Sequence, residues 1–262
     1  MERTPVADSD DNRHLRADGG REPNHPNGGE GTVIILAVDT SSKACSCALV
    51  KDGVLLSESY LHVGLTHSAT LMGMVEDTLA HASVAPGEID RLAVTTGPGS
   101  YTGLRIGVSA VKGMALAGAI ACTGVSTLLS LAYNLTCWEG TVCAALDARV
   151  GQVFTALFSV KGGEVTRLTE DDAMTLEALG EILPAGAMVC GDGAELVFRT
   201  FSDRALRLAP AALRYQRASS AAFAAEQLPA VSGEELTVEY HRLSQAERER
   251  AARLKETDSG CC

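Results

Sequence analysis

The chain has 262 residues, 46% apolar and 21% charged, an ordinary globular composition with enough length to bury a core without disulfide or metal staples. Lys and Arg total 22 against 33 Asp and Glu, a net charge of −11, which excludes a free-standing nucleic-acid binder that works by bulk positive charge. No apolar run approaches the ~18 residues of a membrane span, and no charged-then-apolar export signal opens the chain, so the cytoplasm is the expected compartment.

Residues 1–31 hold only five apolar side chains, with seven acids and four arginines around paired glycines and prolines. Such a segment cannot bury enough surface to offset its ordering entropy, and it reads as a disordered tail. The fold begins at Thr32. Val33–Val38 is a continuous apolar, β-branched run, the pattern of a strand buried on both faces, and it ends in Asp39-Thr40-Ser41-Ser42. A second strand over 44–50 is followed by Lys51-Asp52-Gly53, a hairpin signal, and a third strand runs to about Tyr60. A helix over 66–82, a strand over 92–95, a Gly-Pro-Gly turn, a helix over 102–120, a strand near 121–124 and a helix over 127–137 complete one half, residues 32–138. The second half, 139–243, repeats the theme. A strand over 141–146 ends in Asp147-Ala148-Arg149, a second covers 151–160, Lys161-Gly162-Gly163 turns, and a third covers 164–168. A weak helix near 176–183, a strand over 187–190 and Gly191-Asp192-Gly193 opening another helix follow; 244–262 reads as a helix and tail. Two βββαβα-type halves face to face are the α/β fold of actin, sugar kinases and Hsp70, the ASKHA fold.

In that architecture the Asp-ended hairpins cradle phosphates with backbone N–H groups and hydroxyls. Asp39, Thr40 and Ser41 fit the first hairpin, and Gly191 and Gly193 could lie against an adenine ribose; Ala148 and Arg149 stand where small residues usually permit close approach in the second hairpin. The same residues are what tight turns need in any protein, so a nucleotide cleft and plain turn chemistry both remain open. Gly97-Pro98-Gly99-Ser100-Tyr101-Thr102-Gly103-Leu104-Arg105 places a glycine-rich turn before a helix, where it could bind an anion or simply carry an N-cap at Ser100 or Thr102; it is not a Walker loop. Gly103 and Gly107, with Ala110 and Met114 continuing their face, predict close approach of another helix, internal or from a second chain. In the helix over 66–82, Leu71, Val75 and Leu79 form one stripe, while Met72 and Met74 lie off it, which suits either a partner helix or a wide core face.

Groups for catalysis are sparse. His62 and His67 are five apart, not the i, i+4 pair of a helical metal site, and neither Gly-x-Ser-x-Gly nor His-Glu-x-x-His occurs. Asp171-Asp172 read as solvated loop acids. None of the eight cysteines forms a Cys-x-x-Cys pair; Cys45 and Cys47 read as small buried hydrophobes, and Cys261-Cys262 as an exposed, oxidisable end. Arg199, Arg204, Arg207, Arg214 and Arg217 make a locally basic patch, either a solvated face or a nucleic-acid contact.

The run Ile35–Ser41, the string Gly97–Gly107, the segment Gly124-Val125-Ser126-Thr127-Leu128, the Asp147-Ala148-Arg149 turn and Tyr240–Arg248 closely resemble the TsaB (YeaZ) family over roughly residues 33–250. His241 departs from the commoner Leu. The resemblance implies a non-catalytic subunit of the machinery that forms N6-threonylcarbamoyladenosine in tRNA. It implies a direct TsaD partner through a helical bundle, TsaE in the same complex, contact with tRNA only through that complex, and a homodimer as a further state of the chain alone. ATP or ADP and metal are then expected on the partner subunits, with no cofactor, metal or catalytic residue in this chain. The His-x-x-x-His metal pair of TsaD is absent here, since His67 is followed by Leu71. The resemblance places the partner interface on His67, Leu71, Met74, Gly103, Gly107, Ala110 and Met114. The alternative is a nucleotide-dependent small-molecule kinase on the same fold, which would need an intact second phosphate hairpin.

Overall fold

A computed structural model of the chain describes residues 32–240. The expected tail over 1–31, the expected helix over 244–262 and the motif beyond Tyr240 lie outside the described residues. Strands β1 (Ile34–Asp39), β2 (Cys45–Lys51) and β3 (Val54–Leu61) form an antiparallel meander, followed by α1 (His67–Ala82), β4 (Arg91–Gly97), α2 (Tyr101–Gly118), β5 (Ala121–Ser126) and α3 (Thr127–Tyr133). The second half runs β6 (Gly140–Arg149), β7 (Gln152–Lys161), β8 (Glu164–Arg167), β9 (Asp172–Thr175), α4 (Leu176–Ile182), β10 (Met188–Cys190), α5 (Ala194–Thr200), β11 (Arg207–Leu208), α6 (Ala211–Arg214) and α7 (Ala218–Ala225). The β2–β3 turn takes positive φ at Asp52 and Gly53, and the β7–β8 turn takes it at Gly162 and Gly163.

The first sheet has the order β3-β2-β1-β4-β5 and the second β11-β10-β6-β7-β8, with β9 also on β7. In each, a three-stranded meander is extended by strands parallel to its first strand. The two halves are thus one topology used twice, although their sequences do not repeat. Strand β1 is buried along its whole length because both faces are covered. Leu36 and Val38 meet Leu71, Val75, Val108 and Val111 of α1 and α2, while Ile35 and Ala37 meet α7. Helix α3 packs on the second sheet through Leu128 and Leu131, with Leu135 just beyond it, and α4 and α5 cover that sheet's other face through Leu179 and Val197. Among the described residues no helix is long and apolar enough to cross a membrane.

Helix α7 departs from the division expected at 139–243. Its alanines lie on the first sheet against Ile35, Ala48 and Ala93. The crossing is fixed at its start. Arg217 pairs with Glu58 of β3, Ser219 Oγ donates to Glu58 at 2.8 Å, and the Ala218 amide donates to Ser46 Oγ at 2.9 Å. Further on, Val231 bonds reciprocally with Cys122 of β5 and the Glu239 amide donates to Thr96. The small side chains that let α7 lie close to the sheet also erase the apolar period by which a helix is read from sequence.

One further expectation is corrected. Asp171 is not a solvated loop acid: its side chain is 7% exposed, it pairs with Arg167, and it accepts from Ser126 Oγ, the cap of α3. Of the five arginines, Arg199 and Arg207 are exposed, as on a solvated face, and all five have partners within the fold. Arg214 and Arg199 share Glu195, Arg217 holds Glu58, Arg204 donates to the Leu183 carbonyl, and Arg207 lies over the Trp138 ring.

Candidate functional site

The carboxyl ends of β1 and β4, where open α/β sheets present their ligand crevice, carry the Asp39–Ser42 turn. Asp39 closes it as an Asx turn, its Oδ1 accepting from the Ser41 amide at 2.9 Å and from Ser41 Oγ at 2.7 Å. Asp147 makes the same bond to the Arg149 amide at 2.7 Å, so the two halves share this local device. Asp39, Thr40 and Ser41 are each at most 1% exposed. Burial pushes the Asp39 carboxyl above its ordinary value, against the pull of its bonds to Ser41. Its Oδ2 has no hydrogen-bond partner, and Thr95 Oγ1, Gln216 Nε2 and His67 Nδ1 are likewise buried and unpartnered.

The hydroxyls of the turn are not free to cradle a phosphate, because each is bonded inside the chain. Thr40 Oγ1 donates to the Gly103 carbonyl at 2.7 Å, both Ser41 donors go to Asp39, and Ser42 Oγ donates to Gln216. Gly191 and Gly193 serve close packing. A Cβ on Gly191 would lie 2.0 Å from the Ala145 carbonyl oxygen, and one on Gly193 would lie 2.9 Å from the Leu146 backbone. Among the described residues no group of three or more His, Cys, Asp or Glu is arranged to hold a metal ion.

The Gly97–Arg105 string settles on this same turn. Ser100 caps α2 by accepting from the Gly103 amide at 3.3 Å, and its own amide donates to the Ser41 carbonyl at 2.7 Å. The glycines make the contact possible. A Cβ on Gly99 would meet the Ser41 carbonyl oxygen at 2.4 Å, one on Gly103 the Thr40 carbonyl oxygen at 2.1 Å, and one on Gly107 the Thr40 Oγ1 at 2.4 Å. Asp39, Thr40 and Ser41 of the candidate cleft therefore form one cluster with the candidate interface glycines, while Gly191 and Gly193 lie apart from it. The close approach predicted at Gly103 and Gly107 is to the β1 turn and not to another helix. Leu71 and Met74 are likewise buried in the core of the first half, and Met114 and Ala110 pack on its edge. His67, half-buried at the start of α1, bonds through Nε2 to the Ser42 carbonyl at 2.7 Å; a carbonyl can only accept, so the proton sits on Nε2.

The outward face of α1 and α2 holds a shallow groove of about 510 Å³ lined by Leu71 and Ala110, two of the expected interface residues, together with Ser68, Met72, Tyr101 and Arg105. Met72 is 45% exposed and Leu116 is 85% exposed. Tyr240 stacks on Tyr101 and accepts from Arg105 Nε at 2.8 Å at one end of the groove. Gly73 in α1 and Gly113 in α2 have nothing within 4 Å of where a Cβ would stand. Among the described residues nothing requires glycine there, and each costs about 1 kcal/mol of helix stability. The sequence holds this signal, a glycine inside a helix; the spacing of Gly103 and Gly107 masks it.

Paired sheets of identical order, each led by an Asp-ended strand, make this a protein of the ASKHA fold. A family model for TsaD, tRNA N6-adenosine threonylcarbamoyltransferase, matches residues 62–194. The TsaB protein of Bacillus subtilis, a tRNA threonylcarbamoyladenosine biosynthesis protein, is 34% identical over 151 residues, 58% of this chain and 66% of that protein. Its Escherichia coli namesake is 40% identical over 124 residues, 47% of this chain and 53% of that protein. The chain thus spans between half and two thirds of these curated relatives. The solved structure of YeaZ from Pseudomonas aeruginosa superimposes with a TM-score of 0.69 at 30% identity, covering 79% of this chain and 99% of that one. The chain belongs to the family that the TsaD model describes, and within it to TsaB (YeaZ).

Proposed function

We propose that the chain is a non-catalytic subunit of tRNA N6-threonylcarbamoyladenosine formation that binds and supports a TsaD-type transferase through the outward face of α1 and α2. The observation that carries this reading is the pair of exposed helical glycines, Gly73 and Gly113, beside exposed Met72 and Leu116. They give a face on which another helix pair can pack closely, and adaptable methionine suits such a contact. The same face serves two copies of the chain when no partner is present.

The chemistry belongs to the partners in this reading. His67 Nε2 is committed to Ser42, Leu71 stands four residues on and is buried, and the hydroxyls of the Asp39 turn are bonded internally. ATP and metal are then held by TsaD and by the ATPase TsaE. The tRNA is reached through the assembled complex. The kinase alternative needs phosphate-facing hydroxyls that the turn does not offer.

Size-exclusion chromatography of the purified chain with TsaD from the same organism tests the reading. The wild type should co-elute with TsaD, and Gly113→Glu and Met72→Asp should not, while both variants keep the wild-type circular dichroism. Separate elution of the wild type would overturn the reading, as would transfer to tRNA by the isolated chain supplied with threonylcarbamoyl-adenylate.

A further inference from the structure

We infer that the Asp39–Ser42 turn, placed where the fold keeps a phosphate hairpin, is the anchor that sets both partner-facing helices, with Thr40 and His67 as its positioning residues. The inference rests on the partner-binding role proposed above. Three bonds carry it, each 2.7 Å long, to three successive residues of one turn. Thr40 Oγ1 donates to the Gly103 carbonyl in the first turn of α2. The Ser41 carbonyl accepts from the amide of Ser100, the cap of α2. The Ser42 carbonyl accepts from His67 Nε2, the first residue of α1.

Helix α1 depends on this anchor for its start, and α2, capped by Ser100, takes its position from it. Thr66, at the cap position of α1, makes no side-chain capping bond, so the His67 bond to Ser42 ties down that end. Helix α2 sits on the turn through Gly103 and Gly107, which leave no room for slack. The residues that line the outward groove at this end, Ser68, Tyr101 and Arg105, lie within the first turns that these bonds fix. A loss at Thr40 or His67 therefore changes the spacing of a face that neither residue needs to touch, and packed interfaces are sensitive to displacements of this kind.

The test is the affinity of the full chain for TsaD, measured by calorimetry well below the melting temperature. Thr40→Val keeps the shape and removes the hydroxyl, and His67→Ala removes the tie to α1. Each should weaken binding about tenfold, near the upper worth of one hydrogen bond of this type. Thr40→Ser restores the hydroxyl and should bind as the wild type does, a rescue that a purely structural role for the methyl group would not give. Folded Thr40→Val and His67→Ala proteins that bind with wild-type affinity would overturn the anchor. If Thr40→Val does not fold, His67→Ala, at a half-buried position, decides alone. A wild type that fails to bind TsaD would instead refute the partner reading, and with it this inference.

Discussion

The same substitution, Gly→Ala, made ten residues apart in α2, should move stability in opposite directions. At Gly103 the new Cβ would stand 2.1 Å from the Thr40 carbonyl oxygen and 3.3 Å from Ser100 Cβ, so backbone must move by more than 1 Å to reach ordinary contact. Overpacking of this kind costs about 1–3 kcal/mol. Displacing Thr40 also endangers its bond to the Gly103 carbonyl, worth about 1 kcal/mol, while the gain in helix propensity returns about 1 kcal/mol. The net loss is about 2 kcal/mol, a fall in Tm of roughly 4–8 °C for a domain of this size. At Gly113 no atom lies within 4 Å, so only the propensity gain remains, a rise of about 2–4 °C. Thermal unfolding followed by circular dichroism reads both. A Gly103→Ala protein as stable as wild type would refute the docking of α2 on the β1 turn, and a destabilised Gly113→Ala protein would show that its face is filled from within the chain.

Three other perturbations probe separate parts of the fold. The folded chain holds the Asp39 proton to higher pH than the unfolded chain, so its contribution to stability is complete below the ordinary value of 3.8 and is lost as pH rises through the raised folded value. Asp39→Asn keeps the acceptor for Ser41 and puts an amide donor where Oδ2 is unpartnered beside Thr95; Tm at neutral pH should rise and its decline from acid to neutral pH should flatten, and a large fall in Tm would contradict this. Asp171→Ala leaves Arg167 unpaired and Ser126 Oγ without its acceptor; denaturant titration should show a loss of about 2 kcal/mol, against none if Asp171 were a loop acid. Among the described cysteines, Cys137 should be alkylated first in the native protein: it is exposed, whereas burial pushes the Cys47 thiol to about 12 and Cys143 to about 11, and peptide mapping that finds Cys47 labelled ahead of it would refute this.

Strand β1 is legible because it is a continuous apolar, β-branched run, and the hairpin of each half because Asp52-Gly53 and Gly162-Gly163 stand at positions of positive φ. What was hidden had no local signature. Helix α7 is Ala-Ser-Ser-Ala-Ala-Phe-Ala-Ala, small at every position but Phe223, so no apolar stripe reveals that it belongs to the first sheet. Strands β9 and β11 are four and two residues long, below the length at which alternation can be read. At the site, spacing placed Gly103 and Gly107 on one face of a helix, but not against which neighbour; that neighbour, Thr40, lies 63 residues before Gly103 in the chain. Asp171 shows the same limit, since its polarity suits a loop until Arg167 and Ser126 are brought to it from other elements.

Amide hydrogen exchange on the chain with and without TsaD reads the proposed face itself. Binding should slow exchange across the first turns and outward positions of α1 and α2, residues 67–82 and 101–118, and leave α4 and α5 on the second sheet unchanged. Protection confined to α4 and α5, or to the second sheet, would contradict this.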